Sequence, residues 1–379
     1  MHRSPQSVGK RPPATADKRR QVAGFTLVEM LVGMLLGLLV LGGLAVLVNR
    51  SSSSFRDLQL DSIRIDNGRY AMDLLSEELN HGGFYGHYHA MGKFTGANLP
   101  NPCSLSLDDL RASLDLSIQA YNGASTDPTP GSCLSGGDYR SNTDVLVVRR
   151  ASTALTSPRD LRASANVGRV YMQTGGIGAS YVLNKATSEC ATNKSRFNLT
   201  TPAPDYAAGD TLPESMDCFD YNASLELRAF ETHVFYISDC DDCADPPDGV
   251  PTLKRISLDL SSGAPAFGNP ESLVRGVENM QVYFSLDTDD DGDPDSSAPL
   301  APSAIGSGTP PDLEEWSNLV TADLYLLVRG ESESPDYTDG KTYVLGPDDQ
   351  NDAVTPGGHY KRHAYRIQVR LNNPSDRRL

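Results

Sequence analysis

Between Phe25 and Val48 the chain runs through 24 residues of which only Thr26 and Glu29 are polar. Wound as a helix, that run measures about 36 Å, more than the roughly 30 Å hydrocarbon core of a bilayer. A helix apolar on every side belongs in a membrane or a large protein interior, so this stretch constrains the fold before anything else does. Glu29 lies one turn inside it, and an acid in such a setting is costly unless something pairs with it. Charge is divided around the span. Residues 1–24 carry six Lys/Arg and one Asp, so a chain of net charge -16 is near -21 beyond them. Basic sequence before the span and acidic bulk after it orient the N-terminus toward the cytoplasm. The run ends Leu47-Val48-Asn49-Arg50, without the small-residue site of a secretory signal peptide. Residues 1–22, rich in Arg, Lys and Pro, read as disordered until removed.

Beyond the span, Phe55, Leu58, Ile65, Met72, Leu75 and Leu79 recur at spacings of three, four and their sums, one stripe of an amphipathic helix. The pattern predicts one helix from Phe25 to about Asn80, ended by His81-Gly82-Gly83. Within the span, Gly33 and Gly37 form a small-xxx-small pair, and Gly42-Gly43 is a soft point.

Residues 81–224 are loop-rich, with strand signals at Val145-Leu146-Val147-Val148 and Arg169-Val170-Tyr171-Met172. From 225 to 379 strands dominate. Ile256, Leu258 and Leu260 alternate with polar neighbours, as do Met280, Val282, Phe284 and Leu286, and then Tyr365, Ile367, Val369 and Leu371. Such period-two patterns mark strands with one buried face. Leu324-Tyr325-Leu326-Leu327-Val328 is continuously apolar and fits a central strand. The predicted fold class is α+β: a long N-terminal helix, membrane half 25–48 and amphipathic half 49–80, packed on a mainly antiparallel sheet.

Six cysteines follow the span: Cys103, Cys133, Cys190, Cys218, Cys240 and Cys243. An even count in an exported domain predicts disulfides. Six cysteines allow fifteen connectivities, and nearest-neighbour pairing is the expectation. Cys240-Asp241-Asp242-Cys243 has the spacing of a redox or zinc half-site, but no second CxxC follows and His233 sits in a predicted strand, so it reads as a local disulfide on a turn.

The sharpest polar cluster is Asp287-Thr288-Asp289-Asp290-Asp291-Gly292-Asp293-Pro294-Asp295. Asp287, Asp289, Asp291 and Asp295, with Gly292 after the third, match positions 1, 3, 5, 9 and 6 of a calcium loop, and Asp293 adds its carbonyl. Position 12 holds Ala298 rather than a bidentate acid, so this is no EF-hand. Calcium is the expected ligand, because crowded carboxylates repel one another without a cation. Enzyme signatures are missing: Gly175-Gly176-Ile177-Gly178 reads as a turn, Gly-x-Ser-x-Gly does not occur, and His81, His87 and His89 read as exposed loop residues. The acidic balance argues against a nucleic-acid platform.

Ala23-Gly24-Phe25-Thr26-Leu27-Val28-Glu29-Met30, behind a basic leader and ahead of an apolar helix, resembles the type IV prepilin signature. Gly276-Val277-Glu278-Asn279-Met280-Gln281-Val282-Tyr283, Trp316-Ser317-Asn318-Leu319-Val320 and the closing Tyr360-Lys361-Arg362-His363 resemble PilW-type minor pilins. The resemblance implies that residues 1–24 are a leader cut by a prepilin peptidase between Gly24 and Phe25, with methylation of the new Phe25 amine. It implies that Glu29 neutralises the Phe25 ammonium of a neighbouring subunit. It further implies an inner-membrane protein with a periplasmic domain that joins a type IV pilus, where a bulky domain suits the tip. Implied partners are other minor pilins, the major pilin, the inner-membrane assembly platform and a large tip adhesin. The alternatives are a type II secretion minor pseudopilin, against which the C-terminal segments argue, and a membrane-tethered calcium-binding adhesive module that never polymerises.

Overall fold

The computed structural model describes residues 24–86, 93–105, 109–110, 113–130, 133–134, 138–156, 170–174, 197–200, 226–261, 264–295, 298–308, 310–347 and 352–375. The chain divides into two compact units, Met1–Leu58 and Gln59–Leu379. One helix, α1 (Leu27–His81, 55 residues), runs through the division. It ends as the sequence predicts: Gly82 N donates to the carbonyls of Glu78 (2.9 Å) and Leu79 (3.1 Å), and Gly83 takes a left-handed φ of 75°.

In the first unit every large apolar side chain from Leu27 to Val48 is at least half exposed. Leu27–Val48 is the one helical stretch, among the described residues, long and apolar enough to cross a membrane. Phe55 and Leu58 are 71% and 65% exposed. Burial starts later than the predicted stripe, at Gly68, Ala71, Met72, Leu75 and Leu79, and Ile65 is still 37% exposed. Periodicity identifies the apolar face of a helix; how much of its length a domain covers depends on the domain.

Among the described residues, the second unit holds two larger antiparallel sheets and a two-stranded one. The largest runs β1 (Ile118–Tyr121), β2 (Val145–Ala151), β5 (Glu226–Ser238), β3 (Tyr171–Thr174), β4 (Phe197–Thr200). From its middle, β5 also pairs with β6 (Thr252–Ser261), which carries β7 (Ala264–Phe267) and β8 (Glu271–Arg275). The three-stranded sheet is β13 (Arg362–Arg370), β10 (Leu319–Arg329), β9 (Val277–Leu286), and β11 (Tyr343–Val344) pairs with β12 (Ala353–Val354). Strand β10 lies at the centre, paired with β13 and β9 in long antiparallel registers. Both its faces are covered, which accounts for the unbroken apolar run from Leu324 to Val328. On one face Leu324, Leu326 and Val328 join Met72, Leu75 and Leu79 of the helix in the main core. On the other, Tyr325 and Leu327 meet Tyr283, Tyr343 and Leu345.

Helix and sheet approach closely at Gly68, where an added Cβ would stand 2.2 Å from the Tyr365 ring. Around this seam Asn67 Nδ2 donates to the Arg275 carbonyl (3.1 Å), and Glu78 gathers His233 (2.8 Å), Arg150 (3.5 Å) and Arg255 (3.8 Å). The two larger sheets are joined by Asp144, ahead of β2. Its carboxylate accepts from Gly123 N (2.7 Å) and Val282 N (2.9 Å), and its own N–H donates to Met280 O (2.9 Å).

Candidate functional site

Just ahead of α1, Gly24 and Phe25 lie outside the helix and are exposed, Phe25 at 88%. The helix begins at Leu27, so Thr26 is its N-cap and Glu29 its third residue. Thr26 N and Oγ1 donate to Glu29 Oε2 (3.0 and 2.9 Å), while Glu29 N donates to Thr26 Oγ1 (3.3 Å). This reciprocal pair is a capping box, worth about 1 kcal/mol to a helix end. The Thr-x-x-Glu spacing was available in the sequence, and reading the acid only as a partner for another chain overlooked it. Within one chain, Glu29 satisfies its own helix terminus.

The Asp-rich segment follows β9. Asp287, whose residue is fully buried, accepts from Asp290 N (2.7 Å) and Gly292 N (3.0 Å), which folds the loop around its carboxylate. The bend needs left-handed backbone at Asp290 (φ 63°) and Gly292 (φ 87°). Asp295 Oδ2 accepts from Thr288 N (2.6 Å), Thr288 Oγ1 (2.8 Å) and Asp289 N (3.2 Å). Carboxylate oxygens of Asp287, Asp289 and Asp295 thereby lie within 4.8 Å of one another. Asp291 and Asp293 are not among them: Asp291 accepts from Asp293 N (2.8 Å), and Asp293 faces Arg370 at 3.7 Å. Partial desolvation, then the charges of Asp291, Asp295 and Asp287, push the Asp289 carboxyl up, whereas the Thr288 hydrogen bonds hold Asp295 down. Three converging hard oxygen donors form an acidic cluster able to chelate a divalent cation.

Two disulfides join sequence neighbours, Cys103 to Cys133 (Cα–Cα 5.5 Å) and Cys240 to Cys243 (5.2 Å). Cys190 and Cys218 lie outside the described residues, as do His87, His89 and Gly175–Gly178. His81 closes α1, and His233 lies in β5 against Glu78.

One polar centre went unforeseen. Glu278, 5% exposed at the start of β9, receives Arg362 through Nε and through Nη2 (3.1 Å), Arg140 (3.3 Å) and, at 4.0 Å, Arg329. Arg362 also donates to Asp339 (2.9 Å), and Arg329 stacks 3.9 Å over the Tyr360 ring. The sequence held no local signal for it: Glu278 opens a strand of alternating pattern, and Arg329 and Arg362 lie far along the chain. Such a centre pins the segment between β10 and β13; buried pairs bring geometry more than net stability.

The family models that match fall on the two ends of the chain. The family model described as Type IV Pilus-assembly protein W matches residues 234–373, which include the small sheet and the Asp-rich loop. The prokaryotic N-terminal methylation motif matches residues 19–45, over the cap and the exposed apolar helix. No curated protein matches the chain. Among solved structures, the type IV-like pilin TTHA1219 from Thermus thermophilus is similar at 16% identity over 39% of this chain and 70% of its own. The TM-score of 0.22 is too low to carry an argument about the fold. Proteins of the PilW and pilin families are structural and non-catalytic, and among the described residues this chain has one N-terminal helix long and apolar enough to cross a membrane. With its methylation motif on that helix and its W-type region on the sheet that the helix packs against, this chain is similar to PilW-like, type IV pilin-related proteins.

Proposed function

We propose that this chain is a minor pilin: a prepilin cut between Gly24 and Phe25, methylated at Phe25, and incorporated at the tip of a type IV pilus to initiate or cap it. In this reading the first 24 residues are the leader. Leu27–Val48 holds the precursor in the inner membrane with the domain in the periplasm, and the same apolar surface later packs among the helices of the filament. Glu29 neutralises the Phe25 ammonium of a neighbouring subunit. In a low-dielectric bundle such a pair offsets much of the desolvation of both charges. The prepilin peptidase, other minor pilins, the major pilin, the assembly platform and a large tip adhesin are the partners. The observation that carries the reading is the helix itself. Its first half leaves apolar side chains bare under a methylation motif, and its second half is buried by a domain with a W-type match.

Calcium is the cation we assign to the Asp-rich loop, with Asp287, Asp289 and Asp295 as its converging carboxylates; Asp291 and Asp293, which the loop pattern also offers, stand outside that cluster. Ca²⁺ takes six to eight oxygens in a flexible geometry, which suits a loop of closely spaced acids better than the tight octahedron of Mg²⁺.

The capping role of Glu29 favours a second reading, a membrane-tethered module that never polymerises, since the acid is satisfied without any neighbour. Mass spectrometry of sheared pili separates the two. The minor-pilin reading expects this chain in the sheared fraction with its N-terminus at a methylated Phe25. Its absence from that fraction, with the chain retained in the membrane, supports the tether instead.

A further inference from the structure

The turn after β5 carries a feature that pilus assembly does not use. Cys240 and Cys243 are cross-linked there, Cys240 only 6% exposed and Cys243 half-buried. Lys254, a strand residue of β6 that is itself 4% exposed, places Nζ 3.3 Å from Cys243 Sγ. A carboxylate oxygen of Asp138 lies within 4.8 Å of both sulfurs, and Ser238 Oγ is 3.6 Å from Cys243 Sγ. Other charges nearby are engaged elsewhere. Asp239 pairs with Arg140 (2.6 Å), Asp241 and Asp248 pair with Arg275 (2.6 and 3.7 Å), and Asp242 accepts from Ala244 N (3.0 Å). Tyr236 stands across the ladder from Lys254. Other bonds hold the turn as well: Asp248 Oδ1 accepts from Asp241 N (3.0 Å) and Val250 N (3.1 Å), and Asp248 N donates to Asp242 O (3.0 Å). Opening the disulfide therefore leaves the turn a scaffold.

We propose that Cys240–Cys243 is a redox-active couple that exchanges with the dithiol or disulfide of a partner protein, with Cys243 as the exchanging sulfur. A buried ammonium beside one sulfur of a Cys-x-x-Cys pair stabilises its thiolate, which lowers the thiol pKa and makes the disulfide a stronger oxidant. In the direction that oxidises this chain, the Cys243 thiolate attacks a partner disulfide. A Cys243–partner bond forms as the partner's own S–S bond breaks, and the departing partner thiolate takes a proton from water. Cys240 then gives its proton to the Asp138 carboxylate and attacks Cys243 Sγ. The internal disulfide forms, the second partner thiolate leaves, and two electrons have passed to the partner. The reverse steps oxidise a partner dithiol.

The test uses the full chain in detergent, equilibrated with mixtures of reduced and oxidised glutathione, trapped by alkylation and mapped by mass spectrometry. Cys240–Cys243 is expected to open in mixtures at least about tenfold less reducing than Cys103–Cys133 requires, with the glutathione adduct on Cys243. Lys254→Met should shift half-reduction about tenfold toward stronger reductant, some 30 mV for two electrons, and Lys254→Arg should restore it. In the reduced wild-type chain, alkylation of Cys243 should have its pH midpoint below about 8.5, the value of an ordinary thiol. That last measurement needs no variant and so decides even if Lys254→Met fails to fold. Two disulfides that open together, an adduct on Cys240, an unmoved Lys254→Met or an ordinary midpoint each overturn the proposal.

Discussion

Asp144 shows how far one buried side chain can govern this fold. Burial, the main cause, pushes its carboxyl up to about 7; hydrogen bonds from Val282 and Gly123 oppose the rise, and the charge of Asp352 adds to it. An unfolded Asp titrates near 3.9, so the native state binds this proton more tightly than the unfolded chain does. The resulting stabilisation is complete below about pH 4 and is lost as the pH rises through about 7, a difference on the order of 4 kcal/mol. Glu78 works in the opposite sense. Burial tends to raise it, but His233, Arg150 and Arg255 outweigh that and hold it below the ordinary range. Its contribution is present above about pH 4.5 and lost as the pH falls further. The melting point is therefore expected to peak on the acid side of neutrality, to decline from about pH 4.5 to 7 and to level off above that. Asp144→Asn, which cannot ionise, should flatten that decline while costing about 1–3 kcal/mol through a lost N–H acceptor. Thermal unfolding followed by circular dichroism across this range checks both. A melting point that climbs steadily to pH 8 contradicts the assignment.

Among elements, the contact of α1 with β13 depends on one missing side chain. Gly68→Ala improves helix propensity by about 1 kcal/mol but drives a methyl into the Tyr365 ring, an overpacking that costs about 1–3 kcal/mol. A net loss of stability is expected, and Tyr365→Ala in the same chain should remove the clash, so the two changes together should destabilise by less than their sum. Strict additivity in chemical denaturation would show that helix and strand do not meet as described. The loop after β9 makes a separate prediction. Free Ca²⁺ at 100 times its dissociation constant stabilises a native site by about 2.7 kcal/mol. The full chain in detergent should melt higher in millimolar Ca²⁺ than in chelator, with Mg²⁺ doing less. Asp289→Asn with Asp295→Asn should abolish the difference. If calorimetry detects no Ca²⁺ binding and chelator leaves the melting point alone, the loop is only an acidic turn.

For the whole molecule, the question is whether Glu29 serves its own helix or a neighbour's terminus. Glu29→Ala removes both the cap and the charge, whereas Glu29→Gln keeps a capping-box residue and removes only the charge. Both variants should insert in the membrane, because each makes the span less costly to bury. If the acid neutralises a Phe25 ammonium in another subunit, Gln should fail as Ala does, and both should be depleted from sheared pili. Recovery of the Gln variant to wild-type abundance would assign Glu29 to capping alone.

Spacings of three and four set out the helix to about Asn80, period-two alternation the strands around Ile256, Met280 and Tyr365, and continuous apolar runs those at Val145 and Leu324, and with them the antiparallel class. These signals are local, because a helix face or a strand face repeats within a few residues of itself. The short strands β1 and β4 lacked such a signal, as four residues are too few to show a period. The acidic loop was legible for a related reason, since its donors lie within nine consecutive residues. Which of those carboxylates converge was not: Asp291 stands outside the cluster, and Asp293 faces Arg370, 77 positions further along the chain. The Glu278 centre, the Asp144 link and Lys254 beside Cys243 likewise join groups far apart in sequence. Their partners become neighbours only when two sheets and a helix close on one core, so tertiary packing alone decided them.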